Sequence, residues 1–149
     1  MKGCVMKYSC ELTIDRPRDR VIELFEDTDN LGKWQDGFVS FTPRQEGTGK
    51  PGDKADLVYM MGKRRVEMVE TIVSINMPEE LTATYEAKGV WNKVDNIFSD
   101  TPEGHTRWRV ETEFRCTGLM WLFARLAPGM FRKETEKYMS NFKAFAESA

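Results

Sequence analysis

The chain is short of the residues that most chemistry uses. It has one histidine, His105, among its 149 residues, so a histidine-based triad or metal site would have to use that residue. No second histidine or Cys-x-x-Cys pair completes a metal set. His105 follows a loop glycine at the mouth of a strand, where a solvent-exposed turn histidine is expected. The three cysteines are an odd number with no repeating spacing, which excludes a disulfide framework. No apolar run approaches the roughly 20 residues of a membrane helix, so no stable membrane insertion is expected. Residues 1–7 turn polar before any stretch long enough for a signal peptide, and a reducing cytoplasm is the expected home. Charge of one sign is also missing. The 22 basic and 24 acidic residues leave a net charge of −2, with no basic footprint for nucleic acid.

Apolar bulk is plentiful. Nine Met and nine Phe suit either an ordinary Met-rich core or an interior that adapts to varied partners. The chain is long enough for one domain with a sizeable core, and no repeat, low-complexity tract or linker divides it.

Residues 4–14 alternate as a half-buried strand, with Cys4, Met6, Tyr8, Cys10, Leu12 and Ile14 on one face. Asp15 offers a helix cap, with Pro17 in the first turn. Val21, Ile22, Leu24 and Phe25 give that helix its apolar side. A second short helix is expected over 27–34, capped by Thr28 or Asp29 and weakened by Gly32. Strands follow at 38–42, 55–61, 65–75, 81–87, 90–99 and 106–116. The glycine-rich connection at 46–52 lacks the Gly-Lys-Ser/Thr ending of a phosphate loop and no helix follows it, so it reads as a turn. In the last strand Trp108, Val110, Thr112, Phe114 and Cys116 face inward while charged residues face water.

After Gly118 the pattern becomes helical. Leu119, Leu122, Phe123 and Leu126 form one stripe. Phe131, Thr135, Tyr138, Phe142 and Phe145 form another, and the Lys and Arg residues around it read as a solvated face. Ala127-Pro128-Gly129 predicts a kink or break between the two. The front stripe marks either a mobile gate or a helix end packed on the sheet. The fold class is therefore α+β: a seven-stranded, curved antiparallel sheet gripping a long C-terminal helix, with two short helices between the first and second strands.

Several segments, in this order and spacing, resemble the START-like (SRPBCC) superfamily, whose helix-grip fold is shared with birch-pollen-type allergens and polyketide cyclases. These are Ile14-Asp15-Arg16-Pro17 running into Val21-Ile22-Glu23-Leu24-Phe25, then Leu31-Gly32-Lys33-Trp34, the stretch from Glu70-Thr71-Ile72 to Pro78-Glu79-Glu80-Leu81, and Gly104-His105-Thr106-Arg107-Trp108. The resemblance implies a cavity for a small hydrophobic molecule that is lipid-, quinone- or polyketide-like. It also implies that the first and last strands are neighbours, which would bring Cys4 toward Cys116, either as inert buried thiols or as a reactive pair. Fold alone does not select the activity.

Within such a cavity, Met68 and Glu70 share a face with Val66 and Ile72. The opposite face of that strand (Val69, Thr71, Val73, Ile75) is equally apolar, so Glu70 points either into the interior or, through a bulge or flip, into water. Asn92 and Asn96 share a face with Phe98, and an inward amide can orient a ligand carbonyl or is satisfied internally. Tyr8, Tyr85, Thr112 and Tyr138 offer hydroxyls. Trp108, Phe98, Phe114 and Phe142 offer aromatic walls or plain core packing. No catalytic set, metal site or cofactor is expected. The leading expectation is a module that binds a hydrophobic ligand. The alternatives are a cyclase or dehydratase using an interior Glu70 with Tyr and Asn groups, and a chaperone- or ribosome-facing interaction domain. Exposed strand edges leave a homodimer open.

Overall fold

The computed structural model describes residues 4–46 and 49–149, and of Cys4 only the backbone. The expected glycine-rich turn therefore falls partly outside the described residues, at Gly47 and Thr48. The described elements are β1 (Cys4–Ile14), α1 (Arg18–Glu26), a 3-10 turn (Thr28–Asn30) running into α2 (Leu31–Trp34), β2 (Phe38–Pro43), β3 (Lys54–Met61), β4 (Arg64–Asn76), β5 (Glu80–Ala87), β6 (Val90–Asp100), β7 (Thr106–Cys116), α3 (Gly118–Leu126) and α4 (Gly129–Ser148).

The strands form one antiparallel sheet in the order β1-β7-β6-β5-β4-β3-β2. Six consecutive strands make the meander that short connections dictate, and β1 closes on β7 along its full length, from Cys4 opposite Cys116 to Ile14 opposite Thr106. Alternation is kept through the β1–β7 and β6–β7 ladders. Tyr8, Cys10 and Leu12 sit opposite Thr112, Val110 and Trp108, and Phe98, Asn96 and Asn92 sit opposite Trp108, Val110 and Phe114. These residues share the concave side that faces the helices.

β4, with two apolar faces, is settled by its bulge. The register with β5 shifts between Ile72 and Ser74. Before the shift, Glu70 lies opposite Tyr85 and Ile72 opposite Ala83; after it, Ile75 lies opposite Leu81. One extra residue, Val73, is pushed outward and is 46% exposed, and each half of the strand turns an apolar set inward. The bulge comes after Glu70, so the carboxylate is on the concave side.

The core lies under α4, where Met139, Phe142 and Ala146 are buried. Phe142 meets Trp34, Trp108 and Phe25 at ring-centroid distances of 4.9, 5.3 and 5.6 Å. With 20 residues, α4 spans about 30 Å, enough to run the length of the sheet. Tyr8 meets Thr135 near its start, and Thr13 meets Lys143 near its end.

Two capping expectations are corrected. Asp15 does not cap α1; Pro17 occupies the cap position, and Asp15 Oδ1 instead lies 2.8 Å from His105 Nε2. Asp27 caps the 3-10 turn, its carboxylate accepting from the Asp29 backbone N–H at 3.0 Å, and Asn30 occupies the cap position of α2. The break near Pro128 is present: Ala127 leaves helical geometry at φ −138° and ψ 61°, and Pro128 starts α4. The expected front stripe is not packed on the sheet. Ala124 is the buried residue of α3, with Met120 and Trp121 partly covered, while Leu119, Leu122, Phe123 and Leu126 all face outward.

Candidate functional site

The concave face divides into a sealed half and an open half. In the sealed half, Asn96, Phe98, Trp108 and Phe142 are each no more than 2% exposed. Trp108 donates its Nε1–H to Asn96 Oδ1 at 3.1 Å and stacks on Phe98 at 6.0 Å. The Asn96 amide nitrogen is directed at the Leu81 carbonyl. These four residues, expected as ligand contacts, are closed core: the amide is already satisfied within the protein, and the rings offer no free surface. Thr112 is likewise buried and accepts from Asn92 Nδ2 at 2.7 Å.

Tyr8 and Phe114 occupy an intermediate position beneath the first turns of α4. Tyr8 and Thr135 hydroxyls are 2.8 Å apart, the Tyr8 ring stacks on Phe114, and Phe114 meets Phe131 edge-on at 4.9 Å. The Arg132 guanidinium lies 4.9 Å above the Tyr8 ring. Burial pushes the Tyr8 phenol up to about 12.

The open half is built on β3, β4 and β5. Register places Leu57 opposite Met68, Ala55 opposite Glu70, and Glu70 opposite Tyr85. Tyr59, two residues from Leu57, shares the same side. Its hydroxyl donates to Gln35 Oε1 at 2.6 Å. Tyr85 faces Glu70 across the ladder and favours its charged form. Tyr138 comes down from α4 against Trp34, ring centroids 4.9 Å apart. Among the described residues, the Tyr138 hydroxyl has no hydrogen-bond partner, and the residue keeps accessible surface. Trp34 Nε1, on the neighbouring ring, is buried without an acceptor.

Electrostatics tie these groups together. Burial raises the Glu70 carboxyl above its ordinary 4.5, partly offset by the Tyr85 hydrogen bond. Burial first, then the Glu70 charge, drives Tyr59 and Tyr85 upward; Tyr138 is raised by burial and then by Tyr59 and Glu70. All three phenols are neutral donors at physiological pH. Tyr85 and Tyr138 are deep among protein atoms, yet both keep accessible surface, as do Met68 and Glu70. These groups lie on the part of the concave face that the helices do not seal.

Tyr59 and Gln35 were not singled out from the sequence. Tyr59 was legible as an alternate residue of its strand, whereas Gln35 lies just past a four-residue helix with no periodicity to follow. Two outer depressions, of about 340 and 400 Å³, are lined mainly by polar and charged residues and include neither Glu70 nor Tyr85. Among the described residues, no group of three His, Cys, Asp or Glu is placed to hold a metal ion, and no helix is long and apolar enough to cross a membrane.

The family described as polyketide cyclase / dehydrase and lipid transport matches residues 6–147. The chain belongs to that family. No curated relative matches the sequence significantly. Among solved structures, Ara h 8.0201 aligns at 13% identity with a TM-score of 0.78, covering 98% of this chain and 100% of that one. A putative uncharacterized protein from Rhizobium leguminosarum aligns at 15% identity and TM-score 0.78, covering 99% and 98%. Norcoclaurine synthase from Thalictrum flavum, in complex with dopamine and hydroxybenzaldehyde, aligns at 13% identity and TM-score 0.71, covering 97% and 87%. At such identities these likenesses carry the fold, a curved sheet gripping a long C-terminal helix. In this cyclase and lipid-transport family member, the polar groups of the open half come from four separate elements, β3, β4, β5 and α4, which only the closed sheet brings together.

Proposed function

We propose that the chain binds a small, largely hydrophobic molecule that carries a hydrogen-bonding oxygen. The molecule lies between the concave face of β3–β5 and α4, with its polar end at Glu70, Tyr85 and Tyr138. The observation that carries this reading is the gathering of one carboxylate and three phenols on the hollow side of the sheet, with the Tyr138 hydroxyl unpartnered. A donor on the concave face without a protein partner is free to bond a ligand carbonyl or hydroxyl. Met68 and Phe114 supply adaptable and aromatic apolar surface on either side. Family membership supports the class of ligand, lipid- or polyketide-like, and a cytoplasmic setting fits thiols that have no disulfide framework.

The test is native mass spectrometry of the purified protein, followed by titration with an apolar fluorescent probe such as anilinonaphthalene sulfonate. A co-purified apolar ligand, or saturable probe binding weakened roughly ten-fold by Tyr138→Phe, about one hydrogen bond's worth, is the expected result. An empty protein that binds no lipid, quinone or polyaromatic probe overturns the reading.

The Glu70–Tyr85 contact favours a second reading, acid–base chemistry of the cyclase or dehydratase kind. A carboxyl whose raised affinity for protons brings it closer to neutrality is suited to moving one. In that case Glu70→Gln retains probe binding and loses turnover of a β-ketone substrate; equal turnover in the two proteins eliminates it.

A further inference from the structure

The face that α3 turns away from the sheet has no partner. Leu119, Leu122, Phe123 and Leu126 are 68, 44, 49 and 75% exposed, and Met130, just past the break, is 52% exposed. Their spacing of three and four puts the helix residues on one arc. Five large apolar side chains side by side are not the scattered exposure of an ordinary surface. The charges within the α3 segment have one sign. No carboxylate occurs from Thr117 to Lys133, a stretch containing Arg125, Arg132 and Lys133, and the first acid beyond it is Glu134. Arg125 lies 5.6 Å over the Trp121 ring, at the border between the covered and exposed sides of the helix.

The sheet register adds a second basic element at the same end. β7 passes into α3 beyond Cys116, which pairs with Val90, and Val90 pairs with Ala87. β4 runs on from Val69, opposite Glu86, to a hairpin at Gly62-Lys63. That hairpin carries Met60 and Met61, 39 and 54% exposed, with Lys63, Arg64 and Arg65. Lys88 sits in the β5–β6 turn. Arg65 pairs with Glu67, but among the described residues Lys63, Arg64, Lys88, Arg125 and Lys133 have no carboxylate partner.

We propose that the outer face of α3 docks on an anionic lipid bilayer, with Leu119, Leu122, Phe123, Leu126 and Met130 lying among the acyl chains at the interface. Trp121 and Arg125 sit at headgroup depth, and the unpaired cations of the hairpin and turn meet the lipid phosphates. An apolar arc bordered by tryptophan and cations is the pattern of a helix lying in the interface plane. Lipid phosphates complement charges that no protein carboxylate neutralises. α3 is too short to span a bilayer, so the association is peripheral and reversible. The inference does not depend on what fills the interior.

Vesicle flotation tests it, using phosphatidylcholine alone and phosphatidylcholine with about one third phosphatidylglycerol. Binding to the anionic vesicles, falling to background near 0.5 M salt where surface charges are screened, is expected. Leu122→Ser with Phe123→Ser, and separately Arg125→Glu, should each cut the bound fraction about ten-fold with circular dichroism unchanged. Val73→Ser, exposed on the outer side of β4, should bind as the wild type does. Equal binding to both vesicle types, or binding unaffected by the α3 changes, overturns the proposal. So does sedimentation equilibrium showing a dimer that Leu122→Ser with Phe123→Ser dissolves, since a second copy would then cover the face.

Discussion

Glu70 and Tyr85 stand directly opposite each other in the β4–β5 ladder, on the concave side. Burial disfavours the charged carboxylate and the tyrosine favours it; burial wins, and the folded-state pKa lies above 4.5. Between that ordinary value and the raised one, the native state holds more protons than the unfolded state. Stability therefore falls as pH rises through this window. Glu70→Gln removes the titrating group. In thermal melts from pH 4 to 8, the wild type should lose stability relative to Glu70→Gln as pH rises, and the gap should stop growing once the raised pKa is passed. Parallel profiles would place the carboxylate in water.

Asn96 holds the indole of Trp108 by a 3.1 Å hydrogen bond at a site where both residues are buried. Asn96→Ala leaves the Nε1 donor without its partner and opens a small void. The expected loss is about 1–3 kcal/mol, read from urea denaturation with an unchanged m-value. A loss of that kind with undiminished probe binding separates this core amide from the ligand site.

Gly37 has φ +73°, and a Cβ built there would come within 2.1 Å of the Met60 carbonyl oxygen. The same contact region holds the Met60 N–H to Gly37 O bond at 2.7 Å, which anchors the start of β2 to β3. Gly37→Ala adds left-handed backbone strain of about 1–2 kcal/mol to that steric clash. Chemical denaturation should show a loss at least this large, and hydrogen exchange should quicken in β2 and in the end of β3. Gly52→Ala, also at positive φ but with nothing within 4 Å of its Cβ, should show the strain alone.

Much of this architecture can be read from local pattern. Alternation in 106–116 and 4–14 is strict because one side of each strand is core and the other is water, so the sequence itself carries the parity. The helix break is equally local, since Pro128 cannot continue the hydrogen-bond ladder of α3. Where both sides of an element are apolar, local pattern decides nothing. β4 has two apolar faces, and the position of its bulge in the pairing with β5, beyond Glu70, is what leaves Glu70 on the inward side. α3 is similar: its stripe of Leu and Phe reads either as a mobile gate or as a packed helix end, and the sheet end covers Ala124 and part of Met120 and Trp121, leaving the larger side chains outside. The division of the concave face into sealed and open halves follows the same logic. Asn96, Phe98, Trp108 and Phe142 look like cavity walls by periodicity, yet α1, α2 and α4 meet over them and close the space, while Tyr59, Glu70, Tyr85 and Tyr138 lie on the part that the helices do not seal. By itself the sequence determined which residues alternate, where the C-terminal helix breaks, and the family to which the chain belongs, because these depend on near neighbours and on order along the chain. Only the tertiary structure decided which inward residues are sealed and which keep accessible surface, because that depends on how far the helices stand from each strand.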